Sequence, residues 1–168
     1  MYKIGEYLVY GGYGVMTVVD IREETFGRDT RSYYVLREVG SHADSLTYVP
    51  ADNELLTAQM RPLLTKEEIV DVIRAAKELP DCEWAKDSRG RTEIFRKITE
   101  SGDRARIIAM IRTIFNAGLR REAEGKKNFI SDENAKQKAE KLIHSEFSIV
   151  LGIPEGEIPV FIENELNK

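Results

Sequence analysis

The single tryptophan, Trp84, stands in the stretch Leu79-Pro80-Asp81-Cys82-Glu83-Trp84-Ala85-Lys86-Asp87-Ser88-Arg89-Gly90-Arg91. A lone Trp commonly packs in a core with its indole N–H satisfied. This one falls between two helical patterns, without apolar neighbours at helical spacing, and has Lys86, Arg89 and Arg91 beside it. A ring on a loop flanked by cations can stack on a base or wedge into a base step while the cations hold phosphates. Arg104 and Arg106 then open a helical pattern at its N-terminal end, where positive charge opposes the helix dipole and a facing phosphate would relieve it. The candidate nucleic-acid contacts are therefore Trp84, Lys86, Arg89, Arg91, Arg104 and Arg106.

The overall charge points the other way. The 168 residues carry a formal net charge of −4, which taken whole argues against a phosphate-backbone partner. The charge is unevenly spread: Trp84 to Lys127 holds 12 Lys and Arg against 6 Asp and Glu, whereas residues 1–58 hold 5 against 9 and residues 129–168 hold 4 against 8. Such asymmetry assigns different tasks to different parts of the chain.

Other chemistry finds no support. No G-x-S-x-G or H-E-x-x-H occurs, and neither His42 nor His144 has a nearby Cys or serine elbow. Gly11-Gly12-Tyr13-Gly14 lacks the G-K-[ST] ending of a phosphate cradle and reads as a turn between strands. One cysteine, Cys82, excludes an internal disulfide and, with two histidines, the usual Cys/His zinc cage. No enzyme activity, metal or cofactor is expected. Neither a secretion signal nor a membrane-spanning run is expected, and the cytoplasm is the natural setting.

Two patterns must position these residues. The first 60 residues read as short strands, Tyr7–Tyr10, Val15–Ile21, Ser32–Val39 and Leu46–Val49, rich in Val, Ile, Thr and Tyr and separated by glycine turns. They suggest a small antiparallel barrel, with Gly14 at a bulge or tight corner. From Thr65 the period becomes helical. Thr65 to Glu68 forms a capping box and Pro80 stops the first helix; a second spans about Ser88 to Glu100 and ends at Gly102. Asp103 caps a third with the stripe Ile107, Ile108, Ile111, Ile114 and Phe115. Ser131-Asp132 opens a fourth, burying Ala135, Ala139, Leu142, Ile143 and Phe147, and the tail past Pro154 holds at most one short helix. The expected class is α+β: a Tudor/SH3-like β-barrel domain over residues 1–58, joined through a brief junction near 51–64 to an all-α domain of four to five helices over 59–168.

Gly5-Glu6-Tyr7-Leu8-Val9-Tyr10, the Gly14-Val15 pair, Tyr33-Tyr34-Val35-Leu36-Arg37 and Tyr48-Val49-Pro50-Ala51-Asp52-Asn53 together resemble the CarD/CdnL family of bacterial transcription regulators. That family's pattern has a Gly-Asp-x-Val-Val-Tyr-Pro strand, a His-Gly-Val turn, a Tyr-Tyr-Val-Leu strand and a Val-Pro-x-x-Asn corner. Trp84, a helix ending at Ser101-Gly102-Asp103 and a following amphipathic helix are similar to the family's DNA-contacting half. The resemblance implies a barrel that binds the β subunit of RNA polymerase and a helical domain that touches promoter DNA at the upstream edge of the melted bubble. There a tryptophan matching Trp84 wedges into the minor groove without sequence specificity and slows bubble collapse.

The departures are local. Gly11 and Tyr13 replace the family's Pro and His at turns. After Trp84, Lys86 and Arg89 keep positive charge but Asp87 and Ser88 do not, which either weakens the expected contact or shifts it toward Arg91 and the next helix. Tyr48 stands two before Pro50, where family members tend to have a basic residue; Arg22, Arg31 and Arg37 are the candidates for that role, so Arg22, Arg31, Arg37, Tyr48 and Pro50 form the expected polymerase-binding set. A monomer is expected, with strand exchange at a sheet edge as a route to a dimer. The alternative is a Tudor-like protein adaptor whose helical half binds a second protein and no DNA.

Overall fold

A computed structural model describes residues 1–42 and 44–168. The chain is α+β and divides into two units, Met1–Leu63 and Leu64–Lys168.

The N-terminal unit is a five-stranded antiparallel sheet: β1 (Tyr7–Tyr10), β2 (Gly14–Phe26), β3 (Asp29–Glu38), β4 (Thr47–Pro50) and β5 (Met60–Arg61), in the order β4-β3-β2-β1-β5. A helical turn, α1 (Glu54–Thr57), is capped by the Asn53 side chain, which accepts from the Leu56 N–H. The helix and β5 lie where the sequence suggested only a junction and carry the unit past residue 58. Two residues give a weak strand signal, and β5 is defined by pairing with β1, Val9 opposite Arg61 and Tyr10 opposite Met60. β2 also runs five residues beyond Ile21, through the charged Arg22-Glu23-Glu24 segment. That arm is held by its ladder to β3 rather than by apolar content. The register shift falls between Val18 and Asp20. Gly14, expected at a bulge or a tight corner, begins β2 opposite Tyr10, where the chain turns from β1, with φ +100° and away from the register shift.

One face of the sheet buries Leu8, Tyr10, Met16, Val18, Tyr34, Leu36, Val49 and Met60 as a single cluster. Alternation along β1 and β3 puts these side chains on one face, as a half-buried strand requires.

The C-terminal unit holds α2 (Lys66–Glu78), α3 (Ser88–Ser101), α4 (Arg104–Ala123), α5 (Ile130–Leu151), a 3₁₀ turn at Glu155–Glu157 and α6 (Ile158–Leu166). Its start signals act as their chemistry dictates. Thr65 and Glu68 form both hydrogen bonds of a capping box, Asp87 accepts from Gly90 N–H, and Asp103 accepts from Arg106 N–H. Gly102 ends α3 at φ +69°, a left-handed conformation that costs glycine little. α5 starts one residue before Ser131, with Phe129 at its N-cap and no side-chain cap.

The core draws Ile69, Ile73 and Ala76 from α2, Phe95 and Ile98 from α3, Ile107, Ile108, Met110 and Ile114 from α4, Ala139, Ile143 and Phe147 from α5, and Ile158 from α6. Phe115, expected in the buried stripe, is 52% exposed, and Met110 is buried in its place. Ile94, Ala135 and Leu142 are half-buried. Among the described residues no helix is long and apolar enough to cross a membrane.

Phe147→Ala is expected to cost about 3–5 kcal/mol by emptying a fully buried site, whereas Phe115→Ala stays within about 0.5 kcal/mol; urea denaturation of the two variants checks the contrast. Burial holds the half-buried His144 below its ordinary pKa, with Glu140 and Glu155 opposing. The unfolded chain then binds this proton more readily than the folded one. Stability is accordingly full above about pH 6.5 and declines as the pH falls below it. In thermal melts between pH 7.5 and pH 5, His144→Gln is expected to flatten that decline.

Candidate functional site

Trp84 sits in the loop between α2 and α3, 37% exposed, with its ring 5.9 Å from that of Phe95 and tilted by 54°. The loop reaches this position because Asp87 caps α3 and because Gly90 leaves room. A Cβ on Gly90 would come within 2.9 Å of the Ala85 Cβ. Lys86 and Arg89 follow on the surface, and Arg106 is exposed in the first turn of α4. These three cations have no ion-pair partner among the described residues.

Arg91 and Arg104 do not join them. Both were expected to face phosphate, and both point inward. The Arg91 side chain is 2% exposed; its Nε donates to both Asp132 oxygens at 3.0 Å, and its Nη1 donates to the carbonyls of Ala85 at 3.1 Å and Lys86 at 3.0 Å. Arg104 is 11% exposed and makes a two-point contact with Glu146, Nε to Oε2 at 3.0 Å and Nη2 to Oε1 at 2.8 Å, while Nη1 donates to the Gly102 carbonyl. Glu146 also accepts from the Leu64 N–H. The charge at the head of α4 that opposed the helix dipole is therefore answered by a buried carboxylate of α5.

Further cations of the basic segment are committed as well. Arg112 donates to the Ala76 and Leu79 carbonyls at the end of α2. Arg96 bridges Glu93 and Glu100, and its hydrogen bond lowers the Glu93 pKa. Arg121 lies 3.9 Å over the Phe129 ring and donates to the Lys127 carbonyl. Lys86 and Arg89 thus stay exposed next to Trp84 in the chain, and Arg106 is exposed on α4. Cys82, between α2 and Trp84, is half-buried, and burial pushes its thiol pKa up.

On the N-terminal unit, three of the five expected residues come together. Tyr48 and Pro50 lie on β4, opposite Val35 and Tyr33 of β3. Arg22 reaches across from β2, and its Nη2 donates to the Tyr48 hydroxyl at 3.1 Å while Asp20 and Glu24 flank it at 3.3 and 2.7 Å. Phe26 and Tyr33 complete an aromatic cluster, their rings 5.2 Å apart and 5.5 and 6.2 Å from Tyr48. Phe26 is 53% exposed, and it escaped the sequence reading because β2 was ended at Ile21. Arg31 stands apart, with Asp29 at 3.7 Å and Asp52 at 3.9 Å. Arg37 is exposed on β3 opposite Thr17.

In denaturation of the full chain, Arg104→Met is expected to cost about 3–5 kcal/mol by stranding the buried Glu146 charge, whereas Arg106→Met leaves stability unchanged.

Comparison with known families adds one match, and it covers the sheet unit alone: residues 2–64 match the model of the CarD-like/TRCF RID domain. No curated protein matches the chain.

Proposed function

We propose, from an N-terminal unit that belongs to the CarD-like/TRCF RID domain family, that the protein binds the β subunit of RNA polymerase through this unit and stabilises the promoter open complex through Trp84. The domain match itself supports a transcription-related protein that interacts with RNA polymerase. The β subunit as the docking site, the DNA contact and the bacterial, cytoplasmic setting are the further content of the proposal. So is the absence of catalysis, as is the curling of the sheet into a Tudor-like barrel. Curling is supported by Val49 of β4 and Met60 of β5, from opposite ends of the strand order, entering one buried cluster.

The observation that carries the DNA role is the exposed indole beside Lys86 of the same loop and Arg89 in the first turn of α3, with Arg91 of α3 turned inward. A partly exposed aromatic can enter a distorted base step, while two unpaired cations neutralise neighbouring phosphates. Such a ring binds melted DNA better than closed duplex and shifts the equilibrium by that difference alone. With few phosphate contacts the intrinsic affinity is low. The polymerase-bound unit supplies the effective concentration through the connecting chain.

For docking, the proposal assigns Arg22, Tyr48 and Pro50, with Phe26 and Tyr33 added. An aromatic cluster with a guanidinium at its edge has the composition of an interface anchor. β4 is also an end strand of the sheet, the position at which a partner strand can add. Arg31 and Arg37 lie outside the cluster and serve, in this reading, at its margin.

A second reading, the protein adaptor without a DNA role, is favoured by Phe115 and Leu119, one helical turn apart on α4 and 52% and 48% exposed. The two readings differ in salt response. Under the DNA reading, binding to promoter fragments with polymerase present weakens with added salt, and Lys86→Gln lowers the log–log slope by about 0.9 for the phosphate contact removed. A slope unaffected by salt would favour the adaptor. Trp84→Ala, confirmed folded, is expected to shorten open-complex lifetime by about fivefold or more, the equivalent of at least about 1 kcal/mol of base stacking; an unchanged lifetime removes the wedge.

A further inference from the structure

Arg91 is tied to Trp84 in two ways. Its Nη1 holds the carbonyls of Ala85 and Lys86, the two residues that follow Trp84, so the backbone carrying the indole is pinned to α3. Its Cζ also lies 5.0 Å from the Trp84 ring and 4.6 Å from the Phe129 ring, and the Arg121 Cζ lies 3.9 Å from Phe129. Arg121, Phe129, Arg91, Trp84 and Phe95 therefore form a continuous series of guanidinium–aromatic and ring–ring contacts. The series draws on the loop, on α3, on α4 and on the start of α5.

This arrangement is more than a buried ion pair needs. Asp132 engages only Nε, through both its oxygens, and Nη2 is buried with no hydrogen-bond partner. A buried donor without a hydrogen bond is costly. The guanidinium also lies against two rings, whose π faces attract a cation, most strongly when water is excluded. Asp132 fixes the guanidinium to α5, the guanidinium fixes the ring, and the ring keeps 37% of its surface open.

We propose that Arg91 and Asp132 are positioning residues for Trp84: with Phe129 and Arg121 they hold the indole in one orientation for insertion, and touch no DNA themselves. The inference rests on the wedge reading and deepens it. A wedge held in place beforehand loses little conformational freedom on insertion, whereas a free loop tryptophan would have to be ordered by the DNA.

Trp84 is the chain's one tryptophan, so its fluorescence in the full-length protein reports this ring alone. Two variants loosen the series by independent routes. Arg91→Met with Asp132→Leu replaces the buried pair by apolar side chains, a change that buried pairs often tolerate without unfolding. Phe129→Ala removes a ring that is 39% exposed and spares the pair. For each variant that melts cooperatively, acrylamide quenching of Trp84 in the free protein and open-complex lifetime with polymerase are compared with wild type and with Trp84→Ala. Quenching is expected to rise by about twofold or more as the ring gains freedom, and lifetime is expected to fall toward that of Trp84→Ala. Wild-type quenching in a folded variant overturns the inference, and so does a loosened ring with undiminished lifetime where Trp84→Ala itself shortens it. If the double variant does not fold, Phe129→Ala decides. If Trp84→Ala leaves the lifetime unchanged, the wedge reading fails, while quenching still decides whether these residues hold the ring.

Discussion

A buried guanidinium is tolerated when a carboxylate inside the protein meets its charge. In the helical unit Arg91 with Asp132 and Arg104 with Glu146 meet that constraint. Both pairs join the N-terminal turn of one helix, α3 or α4, to α5. They fix the helix starts, and the helix starts fix the loop that carries Trp84. Pairs of this kind add little net stability compared with apolar residues of the same volume. What they contribute is orientation, because a planar fork bound at two points permits few arrangements.

The same constraint divides the basic segment into two classes of charge. Arg91, Arg104 and Arg112 satisfy carbonyls and carboxylates of the fold. Lys86, Arg89 and Arg106 remain in solvent. Under the proposed function, the two exposed cations next to Trp84 suit a protein carried to DNA by polymerase rather than one that searches for DNA alone, and the overall charge of −4 agrees with that reading. On the sheet unit the corresponding economy is aromatic: Phe26, Tyr33 and Tyr48 gather beneath one arginine, Arg22, at an end strand.

Helices were legible in the sequence because their ends carry their own chemistry. Thr65, Asp87, Asp103 and Gly102 cap locally, within a few residues, and the apolar period between them did the rest. β5 was not legible, since a two-residue strand exists only through its partner β1. Nor were the roles of Arg91 and Arg104, whose partners lie 41 and 42 residues away. A tally of positive charge treats every arginine as surface. Asp132 illustrates the same limit: the sequence places it only at a helix start, yet it is the buried acceptor for Arg91 of α3. Trp84 was found because its neighbours in sequence are its neighbours in space, whereas Phe129, which completes its surroundings, follows 45 positions later.

The account turns on where the Trp84 side chain goes when polymerase and promoter are both present. Replacing Trp84 with the photocrosslinking residue benzoylphenylalanine and irradiating the assembled complex reads this directly. The account predicts a crosslink to promoter DNA at the upstream edge of the melted region that requires polymerase and is absent with the β unit's aromatic cluster disrupted. Crosslinking to protein alone, or to DNA equally well without polymerase, would contradict it.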